Sequence, residues 1–547
     1  MLGQHEKEGR DILMVYTIGV LCSFMIYIAL GVYLSRRVKT SEEYYVSGRN
    51  GSTLMVTGTL VASFVSTVSF MGEVGFSYDG YPILLLILVI FNASGYVLGV
   101  FLFGRYLRRS RSLTVPEFFG RRFHSNKVRS AAAVTTILGI SAYLVAVTQG
   151  VAVILSELLN VSYAAALIIT WIAYSSFTIL SGARGVLVND TIMFMIFSFA
   201  TYLSLPFIFH AAGGFPEAIV KAASLPSRPD MLSWHGLTGP NAYMGTPMEA
   251  LVWAIILGLV WGAVVAISPW QSSRYLMAKN EHVVIRSGVL ATISILTIYL
   301  FLHLSVSAIA TINDSIKPSE KAFIWAAMNV VPTWLGVIII TGIFAAGLSS
   351  CASFLQLIGN SFTRDLMEQA RNKTYSDAQL LRWSRIVMFV VSVIILLVGL
   401  WQPPSIMWIG YFAATLFAAS WGPVAVASVY SKKVTENGAF WSIIFGFLGV
   451  FLGEILKKLG VELPVYLHPV IIGVVLASAA MMIGSKFGSV TEEEKAFREM
   501  ITTRVVSPDE DKEMSVTKKY PYVLVFSGVA LILFTFVFYY WPFTMAQ

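Results

Sequence analysis

The hydrophobic residues of the chain form long runs that short polar segments separate. Fourteen runs can be counted, each close to or above the roughly 20 residues that a helix needs to cross a bilayer. This pattern predicts an all-α polytopic membrane protein with about 14 transmembrane helices. The runs cover residues 13–35, 53–76, 81–107, 128–158, 161–181, 187–212, 249–277, 283–312, 327–361, 382–402, 405–430, 437–457, 464–484 and 521–541.

Composition agrees with a membrane protein and argues against an enzyme. Hydrophobic residues make up 56% of the 547 residues, charged residues only 12%, and the mean hydropathy is +0.73. About a quarter of the residues of a soluble protein are charged. No polar segment is long enough for a soluble catalytic domain, and no nucleophile–base pair or metal-ligand cluster stands out. We therefore expect no catalytic activity.

The net charge of +8 comes from basic residues that gather in alternate loops. Arg105 lies at the end of the third run and Arg108 and Arg109 follow it, and Lys432 and Lys433 follow the eleventh. Because basic residues mark cytoplasmic loops, this distribution predicts a protein of the cell (plasma or inner) membrane with both termini on the extracellular or periplasmic side. The positive charge thus reflects orientation in the lipid bilayer, and we expect no nucleic-acid partner.

Two of the runs carry features that interrupt helices. The seventh run contains Gly262 and Pro269, and the second contains small and polar residues midway, namely Ser63, Ser66, Thr67, Ser69 and Gly72. Broken helices at corresponding positions of two inverted repeats are typical of secondary transporters. A simple proline kink and ordinary packing of small residues are the alternatives.

This interpretation divides the chain into seven parts. Residues 53–212 and 249–431 are the two predicted five-helix repeats of a 5+5 inverted-repeat core. The remaining parts are 1–52 (extracellular N-terminus, first helix and cytoplasmic loop), 213–248 (extracellular loop), 432–484 (two further helices), 485–519 (cytoplasmic loop, with or without a short amphipathic helix) and 520–547 (last helix and extracellular C-terminus).

One polar face interrupts the ninth run. On a helix, Ala346, Ser349, Ser350 and Ser353 share this face. Neighbouring hydroxyls offer neutral oxygens to a monovalent cation, whereas a divalent ion prefers carboxylates. Close packing of small residues between membrane helices is the alternative explanation.

Several short motifs, in this order and spacing, resemble the sodium:solute symporter family, and within it the proline/sodium branch most closely. The resemblance covers about residues 10–485 and implies a LeuT-type inverted-repeat fold. The motifs are YYVSGR at 44–49, ASFVS at 62–66 with FMG at 70–72, VPEFF at 115–119, GARGVLVND at 182–190, PWQSSRY at 269–275, the segment 345–353 with Asp365, and GP at 422–423.

The resemblance implies a sodium site between the second and ninth runs. Its ligands would be the carbonyls of Ala62, Val65 and Ala346 and the hydroxyls of Ser349 and Ser350. Sodium is the only cofactor expected. By the same resemblance, Asp190 is a candidate for the sodium pathway or for a second sodium. A helix N-cap is the alternative role for this aspartate.

The resemblance also places the solute at the two breaks, beneath the fourth and eleventh runs. The candidate substrate-binding residues are Ser66, Ser69, Phe70, Tyr143, Gln149, Trp261, Gln271, Tyr411 and Thr415. The aromatic members would equally suit a packed core. The set contains no pair of basic residues, so it favours an amino acid such as proline, or another zwitterion, over dicarboxylates and phosphates. A monocarboxylate, a vitamin or a sugar remains an alternative.

Two titratable residues depart from the family pattern. Glu73 follows Gly72 and is a candidate gate or cation attractor, with a solvated helix end as the alternative. His303 lies inside the eighth run, where a packing role is the alternative to proton coupling. We predict sodium-coupled symport of a small solute by alternating access. A proton-coupled carrier that depends on Glu73 or His303, and a transporter-like membrane sensor, are the rival hypotheses.

Overall fold

The computed structural model describes residues 2–36, 38–371, 375–401, 406–504 and 509–546. Across these ranges the chain is helical, and its only β-type pairings are two isolated bridges, Gly51–Ala278 and Thr238–Met244. The main helices are α1 (Leu2–Ser35), α2 (Thr53–Ala62), α3 (Val74–Tyr78), α4 (Pro82–Gly99), α5 (Asn126–Leu159), α6 (Tyr163–Ala211), α7 (Pro247–Ile267), α8 (Pro269–Met277), α9 (Glu281–Ile312), α10 (Thr333–Asn360), α11 (Asp377–Leu400), α12 (Ile406–Tyr430), α13 (Glu436–Lys458), α14 (Pro469–Gly484) and α15 (Tyr520–Thr535).

Shorter helical segments connect or extend these helices. Wide π-type turns continue α4, α10 and α15 and precede α3. The short α-helices are Ser41–Val46, Arg105–Arg109, Val115–Arg122, Phe215–Ala223, Ala322–Asn329, Glu368–Arg371, Glu492–Thr502, Glu510–Thr517 and Trp541–Ala546. The predicted loop 213–248 thus contains one helix, and the predicted loop 485–519 contains two; its residues 505–508 lie outside the described ranges.

The helices confirm a polytopic membrane protein. Within the described ranges, 11 helical segments are long and apolar enough to cross a membrane. Three shorter apolar helices, Thr53–Ala62, Tyr163–Ser176 and Pro469–Gly484, fall on the predicted second, fifth and thirteenth runs. The predicted total of 14 spans remains a prediction, because these three are shorter than a full span.

The predicted boundary between the fifth and sixth runs falls at a kink. The helical residues Tyr163–Ala211, α6, are interrupted at Gly182, whose φ of 57° and ψ of −158° are non-helical, and the apolar stretches Tyr163–Ser176 and Gly182–Ala211 lie on either side of the predicted boundary. Only glycine adopts these backbone angles at low cost. Asp190 therefore lies well inside α6, eight residues after the break, so it does not cap a helix N-terminus.

The first predicted break is present and has a local cause. Helix α2 starts at its N-cap Ser52 and ends at Ala62. Serine hydroxyls then compete with the main chain for hydrogen bonds: Ser63 Oγ donates to the Leu60 carbonyl at 3.2 Å, and Ser66 Oγ accepts from the Val68 N–H at 3.1 Å. The chain becomes helical again through the π-type turn Val68–Glu73.

The second break lies at Ser268, where ψ is 152°. Pro269 has no N–H to donate to Val265, and the Tyr275 hydroxyl donates to that carbonyl instead, at 3.3 Å. The expectation that Gly262 also breaks the helix is wrong. This glycine lies within α7, and a Cβ on Gly95 would lie 2.1 Å from its carbonyl oxygen. Gly262 therefore belongs to a close contact between α4 and α7.

Close packing brings the first break against α6 and α10. A Cβ on Gly58 would lie 2.9 Å from the Cα of Thr191, so α2 approaches α6 almost backbone to backbone. Helix α10 packs along α6 and α5, and a Cβ on Gly347 would lie 2.2 Å from Val151. Three helices thus meet around Ala62.

Candidate functional site

Asp190 lies at the centre of a buried polar cluster between α2, α6 and α10. Its Oδ1 accepts a hydrogen bond from Ser349 Oγ at 2.6 Å. Its Oδ2 accepts from Thr59 Oγ1 at 2.5 Å and from Ser353 Oγ at 3.5 Å. The guanidinium of Arg274, on α8, lies 3.9 Å from the same oxygen. The charge of Asp190 is therefore offset from several sides.

The carbonyl of Ala62 faces this cluster. It accepts hydrogen bonds from Ser349 Oγ at 3.2 Å and from Ser350 Oγ at 3.4 Å. The N–H of Ser66, which would close the next helical turn on Ala62, donates instead to Ser69 Oγ at 3.5 Å. The break in α2 thus releases a main-chain oxygen toward two hydroxyls of α10.

These groups suit a small monovalent cation. A released carbonyl and serine hydroxyls are hard, neutral oxygens, and a hydroxyl that donates can rotate to present its lone pairs. A divalent metal usually takes several carboxylates. Among the described residues, no group of three or more His, Cys, Asp or Glu side chains could hold such a metal.

The other two predicted sodium ligands lie on the same two segments. Val65 is buried in the break that follows α2, and Ala346 is buried on α10, one turn before Ser349 and Ser350. Their predicted ligand role remains a prediction.

Three of the predicted substrate residues lie together as an aromatic cluster. The ring centroids of Trp261 and Tyr411 are 5.4 Å apart, and those of Tyr143 and Trp261 are 6.3 Å apart. Phe64, in the first break, packs edge-to-face on Trp261 at 5.4 Å. These rings come from the first break, α5, α7 and α12.

Glu73 adjoins this cluster and is buried, with 4% of its surface exposed. Its Oε1 accepts a hydrogen bond from the Tyr411 hydroxyl at 2.8 Å. Ser69 Oγ and the Tyr299 hydroxyl are hydrogen-bonded at 2.7 Å, and both lie beside the same carboxylate. The alternative that Glu73 is a solvated helix end is therefore wrong.

The remaining predicted substrate residues lie apart from the aromatic cluster or have polar groups in hydrogen bonds with the protein. Phe70 packs against Phe197 and Phe323, and Gln149 lies beside Tyr163. Ser66 Oγ accepts from the Val68 N–H, and Thr415 Oγ1 donates to Phe412 O. Gln271 Nε2 donates to Leu60 O and Ser63 Oγ, whereas its Oε1 is buried with no hydrogen-bond partner in the described part of the chain.

Sequence reasoning missed Thr59, Arg274 and Tyr299. Thr59 precedes the break by one helical turn, and that spacing was a usable signal for a residue facing Asp190. A fully buried arginine in an apolar segment needs a buried acid, so Arg274 could also have been paired with Asp190. Tyr299 lies in an apolar stretch of α9 without a distinguishing pattern.

His303 lies one turn beyond Tyr299 on α9. Its Nδ1 is 2.6 Å from Ser77 Oγ, and its Nε2 has no hydrogen-bond partner in the part of the chain that the structure describes. Its ring centroid is 5.4 Å from that of Tyr299. The histidine therefore borders the Glu73 region through a tyrosine.

Two broken helices that meet at buried polar groups within a bundle of apolar helices define a secondary transporter of the membrane. The family model of the sodium:solute symporter family matches residues 44–446. The chain belongs to this family. It is therefore a sodium-coupled symporter of a small solute in a multi-pass membrane fold.

Known proteins similar to the chain are also symporters. The sodium/pantothenate symporter of Haemophilus influenzae is 25% identical over 489 residues, which cover 86% of this chain and 97% of that protein. The sodium/proline symporter of Escherichia coli is 23% identical over 494 residues, or 86% and 93% of the two chains. The structure of a Na⁺-coupled sialic acid symporter has the same fold, with a TM-score of 0.74 at 16% identity, over 88% of this chain and 99% of that chain.

Proposed function

We propose that this chain imports a small polar organic solute, an amino acid such as proline or another zwitterion, together with sodium across the cell membrane. Its core would be a 5+5 inverted repeat, residues 53–212 and 249–431, within 14 spans whose termini both lie outside. The observation that carries the proposal is the Ala62 carbonyl, which points away from its own helix toward Ser349 and Ser350.

Sodium would link the two helices by replacing hydrogen bonds. When the ion binds, the hydroxyls of Ser349 and Ser350 rotate and turn lone pairs toward it, and Ala62, Val65 and Ala346 supply carbonyl oxygens. The ion then ties the break of α2 to α10 and favours the conformation that binds the solute. A membrane potential adds about 2.3 kcal/mol per charge for each 100 mV, enough to drive solute accumulation.

Asp190 supports a second role for sodium in the same region. Ser349 hydrogen-bonds to both Ala62 and Asp190, so an ion that displaces one of these contacts affects the other. We propose that Asp190, with Thr59 and Ser353, forms either a station on the sodium pathway or a second sodium site. The relative of known structure was described with a novel Na⁺-site, which makes this role worth a direct test.

Uptake into proteoliposomes tests the proposed function. The purified full chain is reconstituted and given labelled proline, choline, lactate or glucose, with an inward sodium gradient, an inward proton gradient or neither. We expect sodium to drive uptake of proline or another amine-bearing solute. Uptake that follows the proton gradient and ignores sodium would support the proton-coupled alternative, and sodium-driven uptake of lactate or glucose alone would support the other solute classes.

A further inference from the structure

We propose that the Glu73 carboxylate, which accepts a hydrogen bond from Tyr411 beside the ring of Trp261, binds a positively charged nitrogen of the transported solute. The inference rests on the proposed sodium-coupled uptake and adds the solute's charge to it. It assigns to this chain a preference for protonated or quaternary amines, whether zwitterionic or cationic, over anionic and neutral solutes.

Glu73 lacks a partner of opposite charge among the described residues. Its Oε1 accepts one hydrogen bond, from the Tyr411 hydroxyl at 2.8 Å, and its Oε2 is buried with no hydrogen-bond partner among the described residues. The groups that interact with this carboxylate are Tyr411, Tyr299 and Ser69, and all of them are neutral. A buried carboxylate is costly unless a cation pairs with it.

Aromatic rings lie next to the Glu73 carboxylate through Tyr411. Trp261, Tyr411 and Phe64 form adjoining edge-to-face pairs, each at 5.4 Å between ring centroids. Aromatic faces attract organic cations through their negative quadrupoles, and more strongly where water is excluded. A carboxylate beside such rings is the usual chemistry of ammonium recognition. Neutral sugars gain little from this charge, and anions are repelled by it.

Glu73 and the sodium-site candidate Ala62 lie at opposite ends of the first break. The short segment between them carries Phe64, Ser66 and Ser69. A solute nitrogen at Glu73 and a sodium ion at Ala62 would therefore engage the two ends of one unwound segment. Binding of either would order that segment for the other.

A second group of aromatic rings packs around Phe76 on α3, three residues after Glu73. Phe76 stacks on Tyr81 at 4.4 Å, and the rings of Trp253, Tyr243 and Trp408 pack around this pair. Exclusion of water by these rings strengthens an ion pair at Glu73. It also makes an uncompensated charge there less favourable.

The test combines binding and uptake by the full chain with Glu73→Gln, and with Glu320→Gln as the matched control. Glu320 is partly exposed, and its Cγ would lie 3.1 Å from a Cβ on Gly75, so it adjoins the same helix. Proline and choline are the amine probes, and lactate and glucose are the comparison probes. Binding is read from the shift in the melting temperature of the detergent-solubilised protein in saturating sodium.

We expect an amine probe to raise the melting temperature of the wild type and of Glu320→Gln, and Glu73→Gln to weaken that binding about tenfold or more. Sodium-induced stabilisation without solute should persist in Glu73→Gln, which shows that the variant is folded. If the wild type takes up no probe with sodium, the proposed function fails. If it takes up lactate or glucose with sodium but no amine, only the present inference fails.

One more outcome would overturn the inference. If Glu73→Gln binds the amine as the wild type does but loses stimulation of uptake by an inward proton gradient, the carboxylate carries a proton rather than the solute nitrogen. Measurement of uptake at several pH values with Ser77→Ala, which removes the His303 partner, would then identify the proton path.

Discussion

Asp190 and Glu73, two buried carboxylates near the first break, lie in opposite electrostatic settings. Asp190 accepts hydrogen bonds from three hydroxyls and has the Arg274 guanidinium 3.9 Å away. Glu73 accepts one hydrogen bond, from Tyr411, and its other oxygen has no hydrogen-bond partner in the described part of the chain. The protein thus compensates one charge with an arginine and several hydroxyls and surrounds the other with neutral groups only.

The difference suggests that the two carboxylates near the first break bind different partners. A carboxylate whose charge is already offset can exchange hydroxyl contacts for a weakly held, rapidly exchanging ion such as sodium. A carboxylate without a partner gains most from a solute that brings its own positive charge. The predictions that follow separate these two environments, beginning with the largest expected effect.

Asp190→Asn should have the largest effect, a loss of sodium affinity. The change keeps the shape but removes the charge and places an amide against Thr59 and Ser349. We expect the sodium concentration for half-maximal uptake to rise by about 100-fold or more, because charged hydrogen bonds and Coulomb attraction are lost together. Sodium titration of uptake in proteoliposomes measures this. Asp314→Asn, at an exposed position, is the control, and equal titrations of the two variants would contradict the assignment.

Thr59→Val should weaken sodium dependence about tenfold. The substitution preserves volume and deletes the hydroxyl that donates to Asp190 Oδ2 at 2.5 Å. Thr57→Val is the matched control, since Thr57 is buried on the same helix and donates to its own main chain at Thr53. The comparison fails if both valine variants shift the sodium titration equally.

Tyr411→Phe should weaken solute binding and leave the sodium dependence of uptake unchanged. It keeps the ring beside Trp261 and removes the only hydrogen bond that Glu73 accepts in the described chain. We expect the solute concentration for half-maximal uptake to rise about three- to tenfold at saturating sodium. A shift in sodium dependence without a change for the solute would assign Glu73 to the ion instead.

Thr415→Val should have the smallest effect, a change within about twofold in either titration. Its hydroxyl proton is donated to the Phe412 carbonyl within α12, so only its lone pairs are left for a solute. Measured solute uptake should therefore match that of the wild type. A large loss of solute affinity would instead support the prediction that Thr415 contacts the substrate.

The helical pattern, the serines of α10 and, through the family resemblance, their partner Ala62 were predictable from the sequence, but other long-range contacts were not. Hydropathy located the apolar helices, and serine spacing predicted a face that does meet Ala62. The sequence could not indicate that Gln271 turns toward Leu60 and Ser63, or that Tyr411 reaches Glu73, because both contacts join residues more than 200 positions apart. Such contacts depend on how broken helices cross.

The kink at Gly182 in α6 shows a second limit of prediction from the sequence pattern. Polar residues around Gly182 predicted a loop between two runs, yet one unusual glycine conformation turns the chain without a loop. That geometry also places Asp190 within a helix and against Thr59. The alternative role of Asp190 as a helix cap is therefore excluded, and its role on the sodium pathway or in a second sodium site remains a prediction.

The most direct test of the account is equilibrium binding of radioactive sodium to the purified full chain. Wild type, Ser349→Ala and the control Ser307→Ala are compared; Ser307 is a buried serine whose hydroxyl donates within its own helix. Because Ser349 is the only described hydroxyl that bonds both Ala62 and Asp190, we expect Ser349→Ala to weaken sodium binding at least about tenfold and Ser307→Ala to leave it unchanged. Equal sodium affinity in all three proteins would contradict a sodium site at the first break.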